Sequence, residues 1–283
     1  MDVDPVQNLQ DRIRTHTRNW SVQVERTAET ETSVLLFGES RDRPVVLKVL
    51  RQPGDEWHSG AAVAAFEGRA VVRVYEHTEG ALLLERLRPG TPLVGLALAG
   101  QDDAATDIVT GLIGTMTPRA APPSAPTVLD WAGAFDRYAA SGDARIPQEL
   151  LAQAQSVYLE LCRSQSRVRL LHGDLQHYNV LFDAERGWLA IDPKGVVGEP
   201  EFELGAILRN PQERFEQFAQ PGMVEQRLAR VASGLAIDRD RALAWGFAQG
   251  VLSAVWTVED GFPLEPRHAG LLLAQAIRPL LGA

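Results

Sequence analysis

Two aspartates and one asparagine in the second half of the chain are the side chains best suited to chemistry. Asp174 lies in a His-Gly-Asp segment, Asn179 follows it by five residues, and Asp192 follows it by eighteen. Transfer of a phosphoryl group to a hydroxyl requires a carboxylate that orients and deprotonates the hydroxyl, together with ligands that hold Mg²⁺ against the phosphates of ATP. We therefore predict that Asp174 is the catalytic base and that Asn179 and Asp192 are ligands of Mg²⁺.

The segments around these residues resemble a known enzyme family. They read His-Gly-Asp-Leu-Gln-His-Tyr-Asn-Val-Leu at 172–181, Ile-Asp-Pro-Lys-Gly at 191–195 and Leu-Arg-Asn-Pro at 208–211. The first two are similar to the catalytic and metal-binding loops of protein kinases, in the forms found in the aminoglycoside phosphotransferase branch. All three together resemble the group of streptomycin 6-phosphotransferases and hydroxyurea phosphotransferases, and the resemblance extends from about Trp20 to Trp256.

This resemblance implies a fold, cofactors and an activity. The fold would be the bilobal protein-kinase-like α+β fold, and the cofactors would be ATP, bound between the lobes, and Mg²⁺. The activity would be O-phosphorylation of an aminoglycoside of the streptomycin type, which would give antibiotic resistance. Hydroxyurea or another small metabolite is an alternative acceptor, and a catalytically silent kinase-like binding protein is a further alternative.

Lys48 is the expected contact to the nucleotide phosphates. It lies in an apolar run at 45–50, where a cation that points inward needs an anion to offset its desolvation. By the resemblance, this is the strand lysine that contacts the α- and β-phosphates. Two carboxylates are candidates for its partner. Glu56, at the start of the following helix, is preferred to Glu67, which adjoins the end of that helix.

Two further segments are expected to hold the nucleotide. The loop at 27–33 lacks the glycines of protein kinases, so Thr32 and Ser33 are the candidates there for hydroxyl or N–H contacts to phosphate. The run at 82–87 resembles the strand whose backbone binds adenine in such kinases. The resemblance implies that the Glu85 carbonyl accepts from the adenine amine and that the Leu87 N–H donates to the ring.

Acidic and aromatic residues after the metal-binding loop are candidates for binding the acceptor. Glu199 and Glu201 follow that loop, and Glu259 and Asp260 follow the helical segment that carries Trp256. Carboxylates beside an aromatic face would suit guanidinium or ammonium groups. Clustered acids are also common on solvated faces, so the sequence leaves both interpretations open.

The elements that must position these residues follow from apolar periodicity. Patterns typical of strands occur at 21–25, 33–37, 45–49, 71–75 and 81–87. The segment at 88–90, Arg-Pro-Gly, interrupts this pattern, and helical spacing predominates afterwards. We therefore predict a small β-rich, nucleotide-binding lobe at residues 1–88 and a larger helical lobe at 89–283, which carries the catalytic and acceptor residues.

Composition disfavours several classes of function. The chain of 283 residues has a net charge of −9, whereas nucleic-acid backbones are bound by clustered Lys and Arg. Its most apolar stretch, 93–100, is shorter than the ~20 residues of a membrane span, and its polar first residues lack the apolar run of a secretory signal. We therefore expect a small-molecule substrate, no nucleic-acid or membrane partner, a cytoplasmic location and a monomer.

Overall fold

An antiparallel five-stranded sheet and two helices form the first part of the chain. The computed structural model describes residues 8–54, 56–116, 118 and 120–281. In chain order, the elements of the first part are α1 Leu9–Asn19, β1 Gln23–Glu29, β2 Ser33–Ser40, β3 Arg43–Leu50, α2 Ser59–Ala65, β4 Val74–Thr78 and β5 Ala81–Glu85. The strand order is β1-β2-β3-β5-β4, which places β3 at the centre of the sheet.

The pleat of β3 decides which way Lys48 points. Leu47 and Val49 are fully buried in the cluster that packs against α1 on one face of the sheet. Side chains alternate along a strand, so Lys48 points to the opposite face, beside Leu35 of β2 and Leu82 of β5. The lysine therefore faces the rest of the molecule and not α1.

The remainder of the described chain is mainly helical and contains two small sheets. Its helices and strands, in chain order, are β6 Pro89–Pro92, α3 Val94–Leu98, α4 Asp102–Thr115, α5 Val128–Trp131, α6 Gly133–Ser141, α7 Gln148–Arg163, β7 Arg169–Leu171, β8 Val180–Asp183, β9 Gly187–Ala190, β10 Val196–Gly198, α8 Leu204–Leu208, α9 Phe215–Phe218, α10 Pro221–Gly234, α11 Arg239–Glu259 and α12 Ala269–Ile277. Short 3₁₀ turns lie at His177–Asn179, Pro200–Glu203 and Arg278–Leu280.

The small sheets hold the loops that carry Asp174 and Asp192. β8 and β9 form a hairpin that pairs with β6, and β7 pairs with β10. The connection between β7 and β8 contains Asp174 and Asn179, whereas Asp192 lies between β9 and β10. Ile191 N donates to Asn179 O at 2.8 Å, so the two connections are joined by a backbone hydrogen bond.

Helix α11 runs through the core of the helical part. Trp245, Phe247 and Val251 on this helix are fully buried, and the helix packs against α7, α8 and α12. Its last two turns carry Trp256 and Glu259, so the packing of the buried part of the helix positions these side chains. Within the described ranges, no helix is both long and apolar enough to span a bilayer.

The structure differs from the sequence expectations near the N-terminus. The apolar pattern does not indicate α1, because few apolar residues, such as Leu9 and Ile13, stand among many polar ones. Strand β1 continues to Glu29, through residues interpreted from sequence as a loop. Thr27 and Ala28 lie in the strand because they pair with β2.

Candidate active site

Asp174 is held by the connection between β7 and β8. Gly173 precedes it with a φ of +82°, and a Cβ at this position would lie 2.8 Å from Val196 Cγ1, so a larger residue does not fit. The buried ring of His172 accepts from Asp174 N at Nδ1 (3.3 Å), which leaves Nε2 to donate to Ile191 O (2.9 Å). His172 therefore supports the loop that presents Asp174.

Both carboxylate oxygens of Asp174 have partners. Arg209 Nη2 donates to Oδ1 at 2.9 Å, and Asn179 Nδ2 donates to Oδ2 at 3.1 Å and to the Asp174 backbone carbonyl at 2.9 Å. Burial lowers the pKa of Arg209, although the charge of Asp174 opposes this change. A carboxylate oxygen can accept two hydrogen bonds, so Asp174 can still accept from an incoming hydroxyl while its orientation is fixed.

Lys48 lies between two carboxylates. Its Nζ is 2.9 Å from Glu56 Oε2 and 2.9 Å from Asp192 Oδ1. The other oxygen of Glu56 accepts from Lys194 Nζ at 2.5 Å, so one carboxylate joins two lysines. Burial alone would raise the pKa of Glu56, but Lys48 and Lys194 lower it to about 2. The four side chains form a cluster of two cations and two anions.

Asn179 and Asp192 are the residues that could hold Mg²⁺. The Nδ2 of Asn179 is used on Asp174, which leaves its Oδ1 for a cation, and Asp192 uses Oδ1 on Lys48 and retains Oδ2. Amide and carboxylate oxygens suit this hard cation, which proteins usually bind through one or two side chains together with substrate phosphates. No group of three His, Cys, Asp or Glu side chains in the described ranges could hold a metal ion. The residues present therefore fit an ion that is shared with a nucleotide.

A cavity of 290 Å³ lies beside Lys48, between the five-stranded sheet and the β8–β9 hairpin. Apolar side chains from both sides, including Val46 and Leu181, form its walls, and Glu85 and Leu87 also line it. A largely apolar pocket with a few polar groups is typical of small-molecule and cofactor sites. This cavity can accommodate a flat ring system whose charged substituent extends towards Lys48.

The turn between β1 and β2 departs from the sequence prediction. Ser33 is buried, its N–H donates to Thr30 Oγ1 at 2.9 Å, and its hydroxyl lies 2.9 Å from the same oxygen. Ser33 therefore closes the turn and is not available to phosphate, so its assignment to the nucleotide site is wrong. Thr32 is exposed and lines a neighbouring cleft with Glu56, where its contact to phosphate stays a prediction.

A larger cavity of 570 Å³ opens beside Asp174. Trp131 and Trp256 line it, and their rings are in edge contact with centroids 5.4 Å apart. Its charged lining residues, besides Asp174, are Asp130, Arg137, Lys194, Arg209, Glu259 and Asp260. Arg137 donates to both oxygens of Glu259 at 2.8 and 3.0 Å. Three of the predicted acceptor residues therefore lie in one cavity with Asp174: Trp256, Glu259 and Asp260.

Glu199 and Glu201 do not line this cavity, and their assignment as acceptor ligands is wrong. Their exposed fractions are 0% and 1%. Glu199 accepts from Arg241 Nε at 2.7 Å and from Trp245 Nε1 at 2.6 Å, and Glu201 accepts from Arg167 at 2.5 Å. These carboxylates are paired with cations inside the protein and are not accessible to an acceptor.

Comparison with known proteins gives the family. The model of the aminoglycoside/hydroxyurea antibiotic resistance kinase family matches residues 18–261. The chain belongs to this family. It is 36% identical over 237 residues to the streptomycin 3''-kinase of Klebsiella pneumoniae, which covers 82% of this chain and 86% of that protein. It is 31% identical over 268 residues to the hydroxyurea phosphotransferase of Kitasatospora aureofaciens, which covers 90% of this chain and 75% of that protein.

A solved structure supports the same fold for this antibiotic resistance kinase. A thermostable mutant of aminoglycoside phosphotransferase APH(4)-Ia, in a ternary complex with AMP-PNP and hygromycin B, matches 95% of this chain and 98% of its own length. The TM-score is 0.66 at 17% sequence identity, a likeness that shows the fold. The predicted α+β, protein-kinase-like fold class is therefore confirmed.

Sequence reasoning assigned no role to three residues of the candidate site. Arg209 and Lys194 stand inside the Leu-Arg-Asn-Pro and Ile-Asp-Pro-Lys-Gly segments, and that position was the available signal. Asp130 stands in no motif, and it caps α5 by accepting from Thr127 N at 2.7 Å. Asp130 can be recognised as a site residue only from the fold, which places the adjacent Trp131 against Trp256.

Glu203 holds the catalytic loop of the kinase from inside the protein. Its buried carboxylate accepts from His172 N at 2.5 Å and from Gly173 N at 3.1 Å. Burial raises the pKa of Glu203 to about 7, although these two N–H groups oppose the rise. The folded protein therefore keeps a proton on Glu203 at a pH where an unfolded chain releases it.

We expect this proton to make the free energy of unfolding depend on pH. The usual pKa of Glu is 4.5, so the folded state binds more protons than the unfolded state between pH 4.5 and about 7. The contribution of Glu203 is fully present below pH 4.5 and is lost as the pH rises through about 7. The full loss is about 3 kcal/mol.

Denaturant titrations of wild type and Glu203→Gln at about pH 5 and about pH 8 measure this loss. The wild type should lose stability relative to the variant at the higher pH. The variant is a suitable reference because Gln keeps an oxygen for one of the two N–H donors and does not titrate. A difference between the two proteins that is the same at both pH values would contradict the prediction.

Proposed function

We propose that the chain transfers the γ-phosphoryl group of ATP, with Mg²⁺, to a hydroxyl of a cationic aminoglycoside, with streptomycin as the first candidate. The observation that carries the proposal is the cavity beside Asp174, in which two tryptophans stand beside the carboxylates of Asp130, Glu259 and Asp260. The smaller cavity, beside Lys48 and Asp192, would hold the nucleotide. The γ-phosphate of ATP and the acceptor hydroxyl would meet between Asp192, which lines the smaller cavity, and Asp174, which lines the larger one.

In the proposed reaction Asp174 orients the acceptor hydroxyl and takes its proton. The acceptor oxygen forms a bond to the γ-phosphorus, the bond from that phosphorus to the β–γ bridging oxygen breaks, and ADP leaves with the electron pair. Lys48, held by Glu56 and Asp192, would contact the α- and β-phosphates. When bound by Asn179 and Asp192, Mg²⁺ would neutralise charge on the β- and γ-phosphates.

Adenine is proposed to occupy the apolar cavity at Glu85 and Leu87. The Glu85 side chain pairs with Arg73 and Arg186, so recognition of the base would fall to the backbone of this segment. The AMP-PNP complex of the structural neighbour supports nucleotide binding by this fold. Because ATP is the donor, the reaction is proposed to take place in the cytoplasm.

The acceptor is proposed to be a drug-sized cation. A cavity of 570 Å³ lies within the range of ~300–1,000 Å³ that is usual for sites of drug-sized ligands. Carboxylates form charge-assisted hydrogen bonds with guanidinium and ammonium groups, and tryptophan faces attract the same cations. These features favour streptomycin, which carries two guanidinium groups. Similarity to a hydroxyurea phosphotransferase makes hydroxyurea the second candidate.

We expect Asp260→Asn to raise the KM for streptomycin. Asp260 lines both the acceptor cavity and the adjoining cleft, where a large cation can be in contact with it. A hydrogen bond to a charged group contributes about 1.5–3 kcal/mol, so the expected rise is about 10-fold or more. Glu259→Gln should raise the KM as well, because the Glu259 carboxylate lines the same cavity.

Streptomycin-dependent release of ADP measures these changes, with ATP binding as a check on each variant. Glu149→Gln, which alters an exposed carboxylate on α7 away from the cavity, is the matched control and should leave the KM unchanged. An unchanged KM in both Asp260→Asn and Glu259→Gln would place the acceptor elsewhere. Absence of turnover by the wild type would remove streptomycin as the acceptor and leave the kinase family unaffected.

A further inference from the structure

The backbone of Lys194 is fixed between the catalytic loop and α2. Its N–H donates to His172 O at 2.8 Å, two residues before Asp174. The next residue, Gly195, has a φ of +73°, and a Cβ there would lie 2.3 Å from Ala62 Cβ on α2. Because no side chain fits between this segment and α2, close packing sets the position of Lys194.

The side chain of Lys194 lies in the acceptor cavity, and its partner Glu56 also binds Lys48 of the nucleotide cavity. It lines the 570 Å³ cavity with Asp174, and it lines the neighbouring cleft of 420 Å³ with Glu56 and Thr32. The side chain is 33% exposed, whereas that of Lys48 is 8% exposed. Lys194 is therefore accessible from the acceptor cavity and from this cleft.

Two other cations near the reaction are less exposed than Lys194, namely Lys48 at 8% and Arg209 at 13%. Lys48 lines the nucleotide cavity and is held by Glu56 and Asp192. Arg209 lines the acceptor cavity, but its guanidinium is bound to the carboxylate of Asp174. Lys194 has one carboxylate partner, Glu56, which it shares with Lys48. Lys194 lines the acceptor cavity, and Glu56 joins it to Lys48 of the nucleotide cavity, so a phosphoryl group that moves from the nucleotide cavity to the acceptor cavity would pass close to Lys194.

We propose that Lys194 is a further catalytic residue, whose Nζ contacts the γ-phosphoryl group while it passes from ADP to the acceptor. The inference rests on the proposed function and deepens it by adding a residue to the same reaction. In that step the acceptor oxygen bonds to the γ-phosphorus, the bond to the β–γ bridging oxygen breaks with its electron pair going to ADP, and the acceptor proton passes to Asp174. Lys194 stabilises the charge on the equatorial oxygens of the transferring group.

The size of the effect follows from electrostatics. In the transition state, charge spreads over the three equatorial oxygens of the phosphoryl group. Loss of one preorganised donor aimed at developing charge typically costs about 10²–10³-fold in kcat. If Lys194 served only to hold Glu56 in place, its loss would instead weaken nucleotide binding, because Glu56 positions Lys48. A catalytic role of Lys194 therefore predicts a loss of kcat, whereas a role in holding Glu56 predicts a loss of affinity for the nucleotide.

Calorimetric titration of the full chain with Mg-ADP, alone and with aluminium fluoride, distinguishes these roles. The complex with aluminium fluoride mimics the planar phosphoryl group in transfer. For Lys194→Met, we expect the affinity for Mg-ADP to stay within about three-fold of wild type, while the additional affinity conferred by aluminium fluoride falls by about 10²-fold. Lys194→Arg, which keeps the charge, should restore part of that affinity. Lys194→Gln serves the same purpose if Lys194→Met does not fold.

Two results would overturn the role of Lys194. One is a Lys194→Met protein that keeps the full gain in affinity from aluminium fluoride. The other is an equal loss of affinity for Mg-ADP with and without aluminium fluoride, which is the result expected from a role in holding Glu56. Measurements on the wild-type protein test the proposed function separately from the role of Lys194. Lack of Mg-ADP binding would overturn both proposals, whereas binding without turnover of streptomycin would remove only the acceptor.

Discussion

Asp174→Asn is expected to lower kcat by about 10²–10⁴-fold, the usual contribution of a positioned general base. The affinity for Mg-ATP should change little, because Asp174 lines the acceptor cavity and not the nucleotide cavity. Asn has nearly the shape of Asp but does not accept a proton in this role. Release of ADP in the presence of the acceptor measures turnover, and calorimetry measures the affinity for ATP.

The folding of the Asp174→Asn protein must be checked before its turnover is interpreted. Arg209 is bound to Asp174 at 2.9 Å, and loss of the negative charge leaves a largely buried cation without its anion. Asn still offers one oxygen to Arg209, so we expect the variant to fold with a lower melting temperature. A folded Asp174→Asn protein with wild-type turnover would remove Asp174 from the mechanism.

Asp192→Asn is expected to remove most of the dependence of ATP binding on Mg²⁺. Asp192 pairs with Lys48 and keeps one oxygen for the ion. Even residues that only support a metal ligand contribute about 10–100-fold to metal affinity, so loss of a charged ligand should weaken Mg-ATP binding by at least about 10-fold. Asn is preferable to Ala here because Asp192 has a φ of 55°, a backbone conformation that Asn tolerates.

Calorimetric titration of ATP with and without Mg²⁺ tests this assignment. Asn179→Ala should have a smaller effect than Asp192→Asn, because the oxygen that it removes is uncharged. Glu185→Gln changes an exposed carboxylate in the turn of the β8–β9 hairpin and is the matched control. If ATP binding by Asp192→Asn responded to Mg²⁺ as it does in the wild type, Asp192 would not be a ligand of the ion.

Sequence reasoning was most informative where the partners lie close together along the chain. Asp174 and Asn179 belong to one connection, and their hydrogen bonds are local. Lys48 stands out because a cation in a run of Val and Leu needs an anion. Glu56, eight residues away, pairs with it, whereas Glu67 pairs with Arg69. Short sequence separation and an apolar pattern were therefore sufficient to propose these groups.

Sequence reasoning failed where the deciding contact is distant in sequence. Glu199 and Glu201 look like members of an exposed acidic cluster, but their partners Arg241 and Arg167 are 42 and 34 residues away. The fold brings these cations to the carboxylates, and the sequence does not indicate the pairing. The same limit applies to Lys194, whose partner is Glu56, 138 residues away.

Analysis of the reaction product by mass spectrometry tests the central claim most directly. Purified wild type and Asp174→Asn would be incubated with Mg-ATP and streptomycin, with hydroxyurea and other hydroxylated compounds in parallel. We predict that the wild type adds one phosphoryl group to streptomycin for each ADP formed, and that Asp174→Asn forms almost no product while it still binds ATP. A wild-type protein that binds Mg-ATP but phosphorylates none of these compounds would contradict the proposed activity.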